Sequence, residues 1–88
     1  MIDTSYVKSL EFYDALHDHA KSALESYYIN CMNDGVFADN KVSFYIENGT
    51  GDLYATGVLS ESTDRRMLRA KCVDNGVLRM ILCKKALA

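Results

Sequence analysis

The chain has 88 residues, of which 49% are hydrophobic and 25% are charged, with a formal net charge of −2. This length accommodates one domain with one core, and the composition excludes an intrinsically disordered chain. The charge is divided unevenly, because residues 1–40 contain two basic and seven acidic residues, whereas residues 41–88 contain eight basic and five acidic ones.

The cysteines and the hydropathy pattern indicate the compartment. The three cysteines lie at Cys31, Cys72 and Cys83, and their spacing matches no metal-binding motif. An odd number of unpatterned cysteines is typical of reduced thiols in the cytoplasm. No apolar stretch approaches the roughly 18 residues of a membrane span, and the first residues lack a signal-peptide pattern. We therefore expect a cytoplasmic protein without a membrane partner.

Residues 4–33 contain neither glycine nor proline, and apolar residues recur there in alternating steps of three and four. This spacing predicts one long helix, which Gly35 would terminate in a left-handed conformation. If continuous, the helix would be about 45 Å long and would extend beyond any sheet of this chain. We therefore predict a homodimer through the helix, with the interface at Leu10, Tyr13, His17, Ala20, Leu24 and Tyr27. Packing of the same residues on the chain's own sheet is the alternative.

Residues 41–85 change to the two-residue period of strands. Strands are predicted at 41–47, 53–60, 67–73 and 77–84. A three-residue turn ending at Gly76 would pair Cys72 with Leu78 and place Leu78, Met80 and Leu82 on the inner face. The predicted fold is a single α+β domain in which one long N-terminal helix packs on a four-stranded antiparallel meander (α-β-β-β-β), with helix about 4–33 and sheet about 41–85.

The outer face of this sheet would combine cations with aromatic rings. Such a surface can neutralise phosphates and stack unpaired bases, so RNA or single-stranded nucleic acid is the first predicted partner. The predicted binding residues are Tyr45, Tyr54, Arg69, Lys71 and Arg79. The same residue types are also ordinary on a solvated sheet face, and a purely structural oligomerisation module is a further alternative.

The acidic first half favours a different partner. Glu11, Asp14, Asp18 and Glu25 would present negative charge to a basic host protein. The second hypothesis is therefore an inhibitor or adaptor of the type that phages and mobile elements encode, which binds a host protein through the acidic helix or the sheet face.

Catalytic and metal-binding patterns are not evident in the sequence. His17 and His19 would lie about 200° apart on a helix, so they should not bind one metal ion from one face. Acid, base and nucleophile do not converge in any recognisable motif. We therefore expect a protein that is not an enzyme and has neither a metal nor a cofactor.

Overall fold

The computed structural model describes residues 2–61, 72–73 and 76–88. Within these residues, helices lie on one face of an antiparallel sheet, so the predicted α+β class with one long helix and an antiparallel sheet is confirmed. The core lies between the two layers. It consists of Val7, Leu16, Ala20, Leu24, Cys31, Phe37, Val42, Phe44, Leu53, Ala55, Leu59, Leu78 and Ala86.

The predicted helix over 4–33 is wrong in its continuity. A short helix α1 covers Ser5–Lys8, a 3₁₀ turn covers Tyr13–Ala15, and the long helix α2 covers Asp18–Asp34. With 17 residues, α2 is about 25 Å long at ~1.5 Å per residue, comparable to a strand of the sheet. The helix therefore does not have the extension beyond the sheet that is the reason for predicting a dimer through the helix. Gly35 ends α2 with φ 61°, as predicted.

The C-terminal residues 84–88 explain why the helix is interrupted. Leu16 forms an antiparallel bridge with Leu87, and the His17 amide donates a hydrogen bond of 2.9 Å to the carbonyl of Ala86. Leu16 is extended, with φ −76° and ψ 148°, so the backbone there cannot continue a helix. Contact with a distant segment thus overrides the local helical pattern.

Three full strands are found among the described residues: β1 Ser43–Ile46, β2 Leu53–Val58 and β4 Val77–Cys83. The segment β3, Cys72–Val73, is only two residues long and pairs with β4. The order is β1-β2-β4-β3, so the predicted four-stranded meander is wrong: β4 lies between β2 and β3. A central strand suits β4, because Arg79 is its one charged residue. The remainder of the predicted third strand, 67–71, lies outside the described residues.

Cys72 pairs with Leu78, as the predicted three-residue turn requires. In the first hairpin, for which the sequence predicts no register, Tyr45 pairs with Tyr54. Side chains alternate as predicted along most of β4. An irregularity between Leu53 and Tyr54 shifts the register at the end of β4, and Cys83, predicted to face outward, packs against the core instead.

Position 57 on β2 requires glycine, because another part of the chain approaches the strand closely there. A Cβ atom at this position would lie 2.6 Å from Cδ1 of Phe37 and 2.8 Å from the carbonyl oxygen of Lys41. We expect Gly57→Ala to lower the free energy of unfolding by about 1–3 kcal/mol through overpacking. Urea denaturation measures this, with the exposed neighbour Val58→Ala as the control that stays within about 0.5 kcal/mol. Equal stability of the two variants would contradict the close contact.

Candidate binding surface on the outer face of the sheet

The face of the sheet that points away from the helices is here called the outer face. Strand alternation places nine described side chains on it or at its rim: Ser43, Tyr45, Glu47, Tyr54, Thr56, Val58, Val77, Arg79 and Ile81. Their sequence positions match the outward set that the two-residue period predicts. The outer face is therefore the part of the described sheet that no helix covers.

Three of the five predicted binding residues come together at the centre of the outer face. The rings of Tyr45 and Tyr54 are almost parallel, with 5.4 Å between their centroids and 11° between their planes. The guanidinium carbon of Arg79 lies 4.3 Å from the Tyr54 centroid and 5.9 Å from the Tyr45 centroid. Both distances fall within the range of cation–π attraction. The other two predicted residues, Arg69 and Lys71, lie outside the described residues.

Glu47 completes this cluster. Its carboxylate forms an ion pair with the guanidinium of Arg79, while Nε of Arg79 donates a hydrogen bond to the Tyr45 hydroxyl. That hydrogen bond, more than any other interaction, raises the pKa of Arg79 above its usual range, so the side chain stays charged. The ion pair offsets the charge of Arg79, which weakens the attraction of this cluster for a phosphate group. The sequence placed Glu47 on the same face but gave no signal for this pairing.

Apolar side chains extend the cluster along two strands. Val58 is 50% exposed on β2, and Ile81 is 37% exposed on β4. Isolated exposed aliphatic residues are common, but these two flank a Tyr and Arg cluster on one continuous face. The described part of the outer face thus combines aromatic, aliphatic and charge-neutralised groups.

The predicted dimer-interface residues have several different environments. Ala20 and Leu24 are fully buried within the chain's own core, as the alternative of packing on the sheet requires. Leu10, Tyr13 and Tyr27 are partly buried against that core, whereas His17 is exposed. Since Ala20 and Leu24 have no exposed surface, they are unavailable to a second copy in this conformation. Homodimerisation itself stays a prediction.

The acidic residues no longer belong to one helix. Asp18 and Glu25 lie on α2, Asp14 lies in the 3₁₀ turn, and Glu11 lies in the turn before it. A carboxylate oxygen of Glu25 is 3.7 Å from the ammonium of Lys8, and the Glu25 side chain is only 29% exposed. Since Glu11, Asp14 and Asp18 are exposed, Glu25 is the least accessible of the four acidic residues.

The remaining candidates for chemistry are also placed by the structure. His17 immediately precedes α2 and is not helical. Its ring stacks on the ring of His19 with 5.3 Å between the centroids, so the expected separation of about 200° around a helix is wrong. No group of three potential metal ligands occurs among the described residues. Burial raises the pKa of the Cys31 thiol and that of the Tyr27 hydroxyl, so neither group is ionised near neutral pH. These properties fit core packing.

In the part of the chain that the structure describes, no helix is both long enough and apolar enough to cross a membrane. No protein-family model matches the chain, and neither a curated protein nor a solved structure matches it. The function must therefore be argued from the geometry of the outer face itself.

Proposed function

We propose that this chain is a non-enzymatic binding protein, and that the outer face of its sheet binds a partner protein. The observation that supports this most directly is the cluster of Tyr45, Tyr54, Arg79 and Glu47 at the centre of an uncovered sheet face. Tyrosine and arginine are enriched in the centres of protein interfaces, where they contribute most of the binding energy. An inhibitor or adaptor of another protein is the function that fits this surface best.

Charge distinguishes a protein partner from a nucleic acid. Affinity for nucleic acid comes mainly from cations that neutralise phosphates. In the described cluster the one cation, Arg79, is already paired with Glu47, so the cluster is electrically neutral. A neutral surface of aromatic and aliphatic groups suits a protein partner, because burying it does not leave an uncompensated charge.

Nucleic acid is the second candidate. The stacked Tyr45 and Tyr54 rings beside a guanidinium on an open sheet are the residue types that stack unpaired bases in RNA-binding sheets. In this candidate Arg79 would contact a phosphate through guanidinium N–H groups that Tyr45 and Glu47 do not use. RNA or single-stranded DNA would then be the ligand, as the sequence predicted.

One set of variants tests the proposal. The sheet variant carries Tyr54→Ala and Arg79→Glu, and the matched control carries Asp14→Lys and Asp18→Lys on the exposed helical side. The wild-type chain serves as bait, and the proteins that it retains from a lysate of the source cells are identified. We expect these proteins to bind the sheet variant at least about 30-fold more weakly than the wild type, which corresponds to ~2 kcal/mol. The control variant should retain them. Circular dichroism confirms that both variants are folded.

The outcomes separate the candidate partners. Loss of the retained proteins from the helical-side variant alone would contradict the sheet proposal and assign binding to the acidic residues. A fluorescence-anisotropy titration with an unstructured RNA of about 30 nucleotides tests the second candidate. Salt-sensitive RNA binding that the sheet variant loses would replace the protein proposal with nucleic-acid binding.

A further inference from the structure

The strand β1 lies at one end of the sheet, and within the described residues it pairs along one edge, with β2. The Glu47 amide donates a hydrogen bond of 2.9 Å to the carbonyl of Asp52. This hydrogen bond determines which residues of β1 bond to β2, because every second residue of the strand does so. The backbone groups of Ser43 and Tyr45 therefore point toward β2. Those of Phe44 and Ile46 point away from it, since hydrogen-bonding direction alternates along an antiparallel strand.

This outer edge of β1 carries little protection against pairing with another strand. Among the described residues, one hydrogen bond reaches this edge: the Tyr6 hydroxyl donates to the carbonyl of Val42 at 3.1 Å. The tyrosine is 42% exposed, so its hydroxyl can turn to solvent. The pairing of β1 with β2 is regular, and the chain contains no proline, so β1 lacks the bulges and prolines that commonly block sheet edges.

The segment 41–47, which comprises β1 and the residues that flank it, is complementary to itself in one antiparallel register. If two copies pair around a two-fold axis at Phe44, Lys41 lies opposite Glu47 of the second copy, and this ion pair occurs twice. The same register places Val42 opposite Ile46 of the second copy on the inner face. It also makes Phe44 exchange hydrogen bonds with its own counterpart, which requires the outward-pointing backbone groups that β1 provides.

Neighbouring registers lack this complementarity. An axis at Ser43 still allows the hydrogen bonds between the strands, but it places Lys41 opposite Tyr45. An axis at Tyr45 allows them too, but it places Glu47 opposite Ser43. Only the register centred on Phe44 opposes the two charges. Period-two alternation also keeps inner-face residues opposite inner-face residues in this register.

We propose that a second copy of this chain pairs antiparallel with the outer edge of β1, centred on Phe44, and joins the two sheets into one. The two-fold axis closes the assembly as a dimer, because each copy uses the same edge and leaves no second β1 edge for further growth.

A groove beside this edge accommodates the second copy's inner-face side chains. It has a volume of about 390 Å³ and is lined in part by Tyr6, Tyr28, Lys41 and Val42. Since Val42 would face Ile46 of the second copy, that aliphatic side chain would lie over the two tyrosine rings. The dimer would also make the two outer faces continuous, with a Tyr45 near each side of the axis.

A charge-exchange experiment tests this register. The mass in solution is measured by light scattering at tens of micromolar protein, where we expect twice the 9.9 kDa of the chain. Lys41→Glu and Glu47→Lys should each weaken the dimer roughly tenfold or more, because like charges then face each other twice. The double variant should recover most of the lost affinity, although Glu47→Lys also removes the ion pair of Glu47 with Arg79 in each copy. Lys84→Glu, also exposed, is the control and should leave it unchanged.

Recovery in the double variant cannot arise within one copy. The two positions are six residues apart along one strand, about 20 Å at ~3.3 Å per residue, so their charges do not meet in a monomer. A mass near 9.9 kDa for the wild-type chain would overturn the proposal. So would a dimer that both single reversals leave intact, since its interface would then lie elsewhere. Neither result bears on the partner-binding variants of the outer face.

Discussion

Replacing Ala86 by Asp should lower the free energy of unfolding by about 3 kcal/mol or more, because a carboxylate would enter an apolar core without a partner. Ala86 is fully buried, and its amide donates a hydrogen bond of 2.8 Å to the carbonyl of Gly51. Its own carbonyl accepts from the amide of His17 at 2.9 Å. This one residue therefore ties the first hairpin to the segment that precedes α2.

Urea denaturation followed by circular dichroism measures the effect of Ala86→Asp. The control is Ala88→Asp, two residues further on, because Ala88 is exposed and the added carboxylate remains in water. We expect the control to change stability by no more than about 0.5 kcal/mol. Equal unfolding midpoints for both variants would show that the C-terminal residues do not pack as described.

Phe37→Ala should be comparably severe. The ring is only 1% exposed, and the Tyr27 ring contacts it edge-on with 6.5 Å between centroids. Truncating a buried phenylalanine to alanine costs about 3–5 kcal/mol, because the lost transfer energy is joined by the energy of the cavity. Thermal or urea denaturation measures this loss, and Phe37→Leu, which retains most of the apolar volume, should recover more than half of it.

The Phe37 and Gly57 substitutions should also be coupled. Since the Phe37 ring is the nearest obstacle to a Cβ atom at position 57, Gly57→Ala should cost less in the Phe37→Ala background than in the wild type. Additive effects of the two substitutions would contradict the close approach of this ring to β2.

Local pattern was sufficient to predict β1, β2 and β4, because the features involved are local. The two-residue period fixes which side chains share a face, and it places Tyr45 and Tyr54 on the same one. The end of α2 was predictable for the same reason, since Gly35 adopts the left-handed conformation that few other residues tolerate.

The interruption of the helix and the order of the strands were not predictable from local pattern. The segment around Leu16 has a helical pattern, but it pairs with Leu87, which is 71 residues away in the chain. The central position of β4 likewise depends on which strand best satisfies two neighbours at once. Both features arise from contacts between distant segments, and no window of the sequence contains them.

Three members of the cluster could be predicted from the sequence, but its fourth member, Glu47, and therefore its charge, could not. Alternation brought Tyr45, Tyr54 and Arg79 to one face, and the structure places them in contact. The pairing of Arg79 with Glu47 depends on the relative position of β1 and β4, which are joined only through β2. That ion pair is the reason why we propose a protein, and not a nucleic acid, as the partner.

Site-specific photocrosslinking tests the central claim, partner binding by the outer face, most directly. A photoreactive amino acid replaces Val58, which is exposed beside the cluster, or Asp18 on the helical side as the control. After irradiation in the source cells, we expect a protease-sensitive, nuclease-resistant adduct from position 58 and none from position 18. An adduct from position 18 alone, or a nuclease-sensitive adduct from position 58, would contradict the proposal of a protein partner on the sheet.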